Sequence, residues 1–303
     1  MAFDLKKITN GVVERSIRTL LYGGDGVGKS TFAAGAPDPF FVDPNKGRYR
    51  LRVRGTDIEN WDEFRACLDA IESGKIPCKT IVLDAITNLE AMCGEKLFPG
   101  VSIKEARGGF KAGEGAVVLE WRNVVAQLER MWLGGKHILL IGHVVVRRFN
   151  DPAGPSYDRS EVSCSPELGG FLKQWSDYVL FAREDVTMAG KRTATTTGAR
   201  WVQTNRSPAW DAKARGTNLF PAMLPLSWNA FFEAVQGDAT RGATMLKEIN
   251  AMLAEIGDEA LDKQVAGYIR EYPNQVPDAF NRLVIRLEEF RRAKAPAAQE
   301  VTT

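Results

Sequence analysis

Residues 22–31 read YGGDGVGKST, and this stretch constrains the chain more than any other. Gly23 and Gly28-Lys29-Ser30 match the spacing G-x-x-x-x-G-K-[ST] of a loop that cradles phosphates. A triphosphate needs several backbone N–H groups turned inward at close range, and side chains would obstruct that approach. Gly23, Gly24, Gly26 and Gly28 remove the Cβ atoms and admit the positive φ values of such a nest, with Asp25 and Val27 between them. Lys29 is placed to meet the β- and γ-phosphates, and Ser30 to offer its hydroxyl to Mg2+. Thr31 follows in a helix whose N-terminal end faces the anion. The flanks agree: residues 17–22 are β-rich, and residues 30–34 open a short helix stopped by Gly35 and Pro37.

Downstream, short apolar runs alternate with helical periodicities, the pattern of an α/β fold with a mostly parallel sheet. Residues 39–43 form a buried strand with Asp43 at its carboxyl end, where open α/β sheets place ligands. Asn60 and Glu63 cap a helix that runs through Trp61, Phe64, Cys67, Leu68 and Ile71 to Gly74. Residues 80–84, TIVLD, have the form of a strand whose terminal carboxylate, Asp84, holds Mg2+ together with Ser30. A helix over residues 86–97 follows. Residues 137–143 form a further strand ending in His143, which is placed either as hydrogen-bonded structure or as a sensor of the γ-phosphate.

Two stretches combine cations with irregular composition. Residues 100–115 carry Lys104, Arg107 and Lys111 among five glycines, too many for regular structure; they are either a solvated linker or a basic loop that orders on a phosphodiester backbone. A long helix is expected from Ala116 to the Gly134-Gly135 pair. Residues 144–165 suit a β-ribbon turning at residues 151–155, with Arg147, Arg148, Phe149, Tyr157 and Arg159 on its arms. Alternating guanidinium and aromatic groups fit a single strand, whose bases stack while its phosphates seek positive charge; an exposed hairpin without a ligand is the alternative. After a helix over residues 166–175 and a strand over 178–182, residues 183–204 suggest a hairpin with turns at 189–190 and 197–198. Lys213 and Arg215, two residues apart near a turn, are either solvated or a pair that reaches a neighbouring subunit's γ-phosphate.

Bulk properties narrow the setting. A formal charge of +2 leaves any basic surface local. No apolar run spans a membrane and the start MAFDLKK lacks a signal-peptide core, so a cytoplasmic protein is expected. Cys67, Cys78, Cys93 and Cys164 form no C-x-x-C pair and suit packed, reduced thiols. Only His137 and His143 are present, which makes a histidine-built zinc site a poor expectation. The expected division is a core over residues 1–238, a helical module over 239–293 built on two apolar stripes, and a disordered tail over 294–303.

Taken in order, GGDGVGKST, FFVD, TIVLD, ILLIGH, QWSDYVLFA and AWDAKARG resemble the RecA-like ATPases of bacteriophages, which include single-strand annealing and recombination proteins. The resemblance covers roughly residues 16–235. It implies a RecA-like P-loop NTPase core, ATP and Mg2+ as cofactors, and a phage-encoded protein of the bacterial cytoplasm. It also implies two mobile DNA-binding loops, which fall on residues 100–115 and 144–165. His143 matches the residue that couples γ-phosphate to the second loop, and Lys213 with Arg215 matches a K-x-R pair acting across a subunit interface in a filament or ring. The implied function is ATP-dependent single-stranded DNA binding that promotes annealing or strand exchange, with DNA-stimulated ATP hydrolysis and a single-strand-binding protein as a further partner. Lys29, Asp43, Asp84, His143, Lys213 and Arg215 form the candidate catalytic set. One position departs: Asn45 stands where such enzymes place a catalytic glutamate, and an asparagine can orient water but not accept its proton. Either Asp43 substitutes or hydrolysis is slow, and the second case leaves an ATP-binding scaffold or loader as the alternative. A small-molecule kinase is disfavoured, because no arginine-rich lid is evident.

Overall fold

The central strands are buried on both faces, and their sequences show why. β1 (Arg18–Gly23, RTLLYG) and β4 (Thr80–Asp84, TIVLD) each carry consecutive apolar residues at their centres, as strands covered by helices on both sides require. The computed structural model describes residues 15–108, 111–152, 154–189, 193–216, 220–271, 282–284, 286–287 and 289–290.

Around these two strands the sheet runs β10-β8-β7-β1-β5-β4-β2-β3. Here β2 is Pro39–Asp43, β3 Arg54–Asp57, β5 His137–Phe149, β7 Tyr178–Ala189, β8 Thr193–Gln203 and β10 Met223–Pro225. Pairings from β7 through β1, β5, β4 and β2 to β3 are all parallel. This is a RecA-like P-loop NTPase fold: α/β, with a mostly parallel sheet flanked by helices. Its functional consequence is that β5 lies between β1 and β4, so His143 enters between the glycine-rich loop and Asp84. Register fixes the depth, with Gly23 beside His143 and Asp84 beside Ile141.

The helices bury the stripes that the sequence presents. These are α1 (Lys29–Ala34), α2 (Trp61–Glu72), α3 (Ile86–Leu97), α4 (Ala112–Leu133) and α5 (Pro166–Trp175). Asn60 caps α2 by accepting from the Glu63 amide at 3.0 Å, while the Glu63 carboxylate reaches the Glu59 amide at 2.8 Å. Trp61, Phe64 and Leu68 of α2 meet Trp121, Val124 and Leu128 of α4 in one core. The four cysteines are buried and free of disulfides.

Three elements differ from the sequence reading. Strand β3, with only polar residues and a glycine, carries no alternating pattern; it forms because the edge of β2 offers it a parallel ladder. Helix α4 begins at Ala112, four residues before its apolar stripe, and so takes up glycines that suggested irregular structure. Gly198 is not a turn: with φ +77° it sits inside β8, where the register to β7 shifts between Glu184 and Val186 and a bulge needs that conformation. The suggested turn at 189–190 falls partly outside the described residues.

β5 outlasts the sheet. Beyond His143 it continues as a ribbon with β6 (Tyr157–Val162), paired from Val144 with Val162 to Phe149 with Tyr157. β9 (Lys213–Ala214) pairs with the start of β7.

The contacts divide the chain into one unit of residues 1–215 and 221–232 and a second of 216–220 and 233–303. In the second unit, Ile249, Met252 and Leu253 of α6 (Trp228–Ile256) pack with Leu283 and Leu287, while Ile256, Leu261, Val265 and Ile269 lie against that cluster. α7 (Glu259–Glu271) follows Gly257. Leu246 of the same helix is exposed. Residues 272–281 and the tail beyond residue 290 lie outside the described residues.

Candidate functional site

β1 delivers the chain into a turn over Gly24–Gly28 from which α1 starts directly. Gly28, the residue before α1, has φ +106°, a conformation that side chains disfavour. Lys29 is buried, and its ammonium donates to the carbonyls of Gly23 and Gly24 at 2.9 and 2.8 Å. Burial lowers its pKa, while the charges of Asp25 and Asp84 pull the other way. The loop thus folds around the Lys29 cation.

Ser30 donates its hydroxyl to Asp84 Oδ2 at 2.5 Å, so the two oxygens singled out for Mg2+ stand together. The Asp84 pKa is raised, first by burial and further by the Asp43 charge, against the opposing effects of Ser30, Lys29 and His143. An ionised Asp84 is therefore undercompensated as it stands, and a hard divalent cation fits there. Among the described residues no group of three or more His, Cys, Asp and Glu could hold a metal by itself.

Asp43 is placed at the expected edge but is engaged otherwise. It is 1% exposed, and its two oxygens accept from the backbone amides of Asn45 and Arg48 at 2.9 and 3.0 Å. It shapes the loop between β2 and β3, and Asn45 itself is exposed. His143 Nδ1 pairs instead with Asp25 Oδ1 at 2.7 Å, joining the end of β5 to the glycine-rich loop.

Arg200 was not singled out by the sequence. Its Nη1 lies 3.3 Å from where a Cβ on Gly28 would stand, and Glu184 holds its Nε at 3.3 Å. The β7–β8 hairpin brings it there from far along the chain, and only its place next to the β8 bulge could have hinted at it.

The basic stretches divide into exposed and engaged cations. Lys104 is exposed, Lys111 pairs with Glu167 at 2.5 Å, and the Arg107 side chain lies outside the described residues. On the ribbon, Arg148 is well exposed with a long pairing to Asp158 at 3.4 Å. Arg147 donates to Glu161 and to the Cys164 carbonyl at 3.2 and 2.5 Å. Arg159 is 4% exposed, stacked 4.1 Å from the Phe149 ring centroid and bonded to the Tyr157 hydroxyl at 2.6 Å. Phe149 and Tyr157 pack on each other with centroids 5.2 Å apart. Arg159 thus builds the ribbon's inner face and is not a surface contact.

Lys213 and Arg215 lie beside the start of β7, at the end of the strands away from the glycine-rich loop. Lys213 donates to the carbonyls of Lys173 and Gln174 at the end of α5, and Arg215 pairs with Asp177 at 3.1 Å. Both line a cleft of about 600 Å³ with Arg159, Lys173 and Arg206. Tyr178 pairs with both Ala214 and Thr19, and the step from Thr19 to Gly23 is roughly 13 Å of strand. The fold therefore does not bring this pair to the glycine-rich loop of its own chain.

A family model described as an AAA domain matches residues 15–216. The chain belongs to the AAA domain family. No curated protein matches it. Among solved structures it is similar to the flagellar accessory protein FlaH from Methanocaldococcus jannaschii, at 10% identity and a TM-score of 0.33, over 62% of this chain and 77% of that one. Membership in an AAA family with a P-loop makes this a nucleotide-binding ATPase domain. No helix among the described residues is long and apolar enough to cross a membrane.

Proposed function

We propose that this protein is an ATP-dependent, single-stranded DNA-binding ATPase that promotes annealing or strand exchange in phage recombination. The observation that carries the reading is β5: one strand runs from between the loop and Asp84, through His143, into a ribbon that leaves the sheet. A nucleotide state felt at His143 has a continuous ladder along which to reach Arg148. The backbone amides of residues 24–30 would hold the phosphates, with Lys29 against them and Ser30 and Asp84 holding Mg2+. The ion would neutralise charge on the transferring phosphoryl group. Lys213 and Arg215 would serve the site of a second copy in a filament or ring.

The test is retention of a labelled oligonucleotide on filters with and without ATP·Mg2+. A marked gain in affinity that is lost in Lys29→Ala is expected, and equal affinity in both conditions would end this reading. A second reading, an ATP-bound scaffold or loader with little turnover, has one observation in its favour: both Asp43 oxygens are taken by backbone amides. Steady-state phosphate release separates the two, because brisk Lys29-dependent turnover contradicts the scaffold.

A further inference from the structure

The ionisable groups around the glycine-rich loop each have an assignment except one pair. Lys29 lies on the loop carbonyls, Asp84 holds Ser30, and Asp43 caps the turn after β2. Asp25 and His143 remain, 2.7 Å apart, with the His143 side chain 34% exposed and that of Asp25 87% exposed. Gly23 and His143 are register partners on adjacent strands, so the ring hangs beside the loop itself. Among the described residues no protein group bonds Nε2, which leaves that nitrogen open to water.

We propose that His143 is the general base for ATP hydrolysis and that Asp25 is its positioning residue, together replacing the glutamate this chain lacks. The inference rests on the ATPase reading above. Asp25 accepts the Nδ1 proton and thereby fixes the tautomer whose Nε2 lone pair is free. In the step, the water oxygen bonds to the γ-phosphorus as the bond to the β–γ bridging oxygen breaks. The water proton passes to Nε2, and ADP carries off the bridging oxygen with its electron pair. The imidazolium, stabilised by Asp25, then returns its proton to solvent, leaving ADP, phosphate and a released proton. A neutral imidazole can accept the water proton, where an asparagine cannot. The charged groups that bear on the ring are Asp25 from the loop, in direct contact, and Asp84 from β4 through its charge, and Thr87 of α3 holds the His143 amide.

The pair is exposed enough that it adds little to folding, so its variants are expected to fold. Imidazole nitrogen shifts supply a readout independent of turnover. The chain has only two histidines, and His137 Nδ1 accepts from the Ile17 amide, which sets its signal apart. The expected His143 tautomer is Nδ1–H in the nucleotide-free protein and Nε2–H in Asp25→Asn; Nε2–H already in the parent overturns the pairing. In single-turnover hydrolysis, His143→Gln is expected to lose roughly hundredfold or more in rate together with the acid limb of the pH profile, at nearly unchanged affinity for a fluorescent ATP analogue. Asp25→Asn is expected to slow the step and Asp25→Glu to restore part of it. If the parent shows Lys29-dependent turnover and His143→Gln keeps its rate and pH profile, the dyad is wrong and the ATPase reading survives. If the parent shows no Lys29-dependent turnover, both fall.

Discussion

Asp84, a candidate metal-binding residue, illustrates how such a residue costs a fold something. Its partly buried carboxylate, near Asp43 and with a single short bond from Ser30, has its pKa raised by desolvation and by the Asp43 charge. The sign follows from linkage: a carboxyl group with a higher pKa in the folded state binds its proton more tightly there, so stability falls as pH rises through that range. Asp84→Asn removes the charge and keeps an acceptor for Ser30. Its melting temperature, measured without nucleotide or Mg2+, is expected to exceed the parent's at neutral pH. The gain should vanish below about pH 4, the ordinary range of aspartate, where Asp84 is itself neutral. Mg2+·ATP should stabilise the parent and do much less for the variant. An equal or lower melting temperature at neutral pH would mean that Asp84 is satisfied without a cation.

At the scale of elements, the ribbon shows that composition and role can separate. Arg147, Arg148 and Arg159 are one signal in the sequence, yet strand alternation and pairing give them different surroundings. Only Arg148 is open enough to offer its charge to a phosphate. Arg148→Ala should therefore lower the slope of log affinity against log salt by ~1 in filter binding. Arg147→Ala should leave that slope alone and cost about 1–3 kcal/mol of stability in denaturant melts, because the Cys164 carbonyl and Glu161 lose their donor. Equal slope changes for both would place Arg147 on the binding face. What could be read in advance follows the same division. The loop, the strand ending in Asp84 and the helix capped by Asn60 are local patterns, each with its physics inside about ten residues. Strand β3, the bulge at Gly198, the engagement of Asp43 and the position of Arg200 depend on partners far along the chain, and no periodicity reports a partner. The pairing of Asp25 with His143 is of that kind too: both residues stood out singly, but only the register of β1 with β5 joins them.

For the whole molecule, the placement of Lys213 and Arg215 beside the start of β7 decides what one copy can do alone. Both cations are occupied at the end of α5 and at Asp177, and the sheet keeps them a strand's length from their own phosphate loop. If they take part in hydrolysis, they complete the site of a second copy, and the loss of either half should be repairable by mixing. Lys213→Ala is expected to bind an ATP analogue as the parent does and to hydrolyse ATP poorly. Lys29→Ala is expected to lack hydrolysis because its own cradle fails. In a mixture of the two, some interfaces pair an intact loop from the Lys213→Ala copy with an intact Lys213 from the Lys29→Ala copy. Phosphate release should therefore rise above that of either variant, reach its maximum near equal amounts, and fall on dilution as copies separate. Lys213→Ala that loses nucleotide binding would place the residue in its own chain's pocket. Full binding with no recovery on mixing would leave Lys213 as a cap on α5 and remove it from the catalytic set.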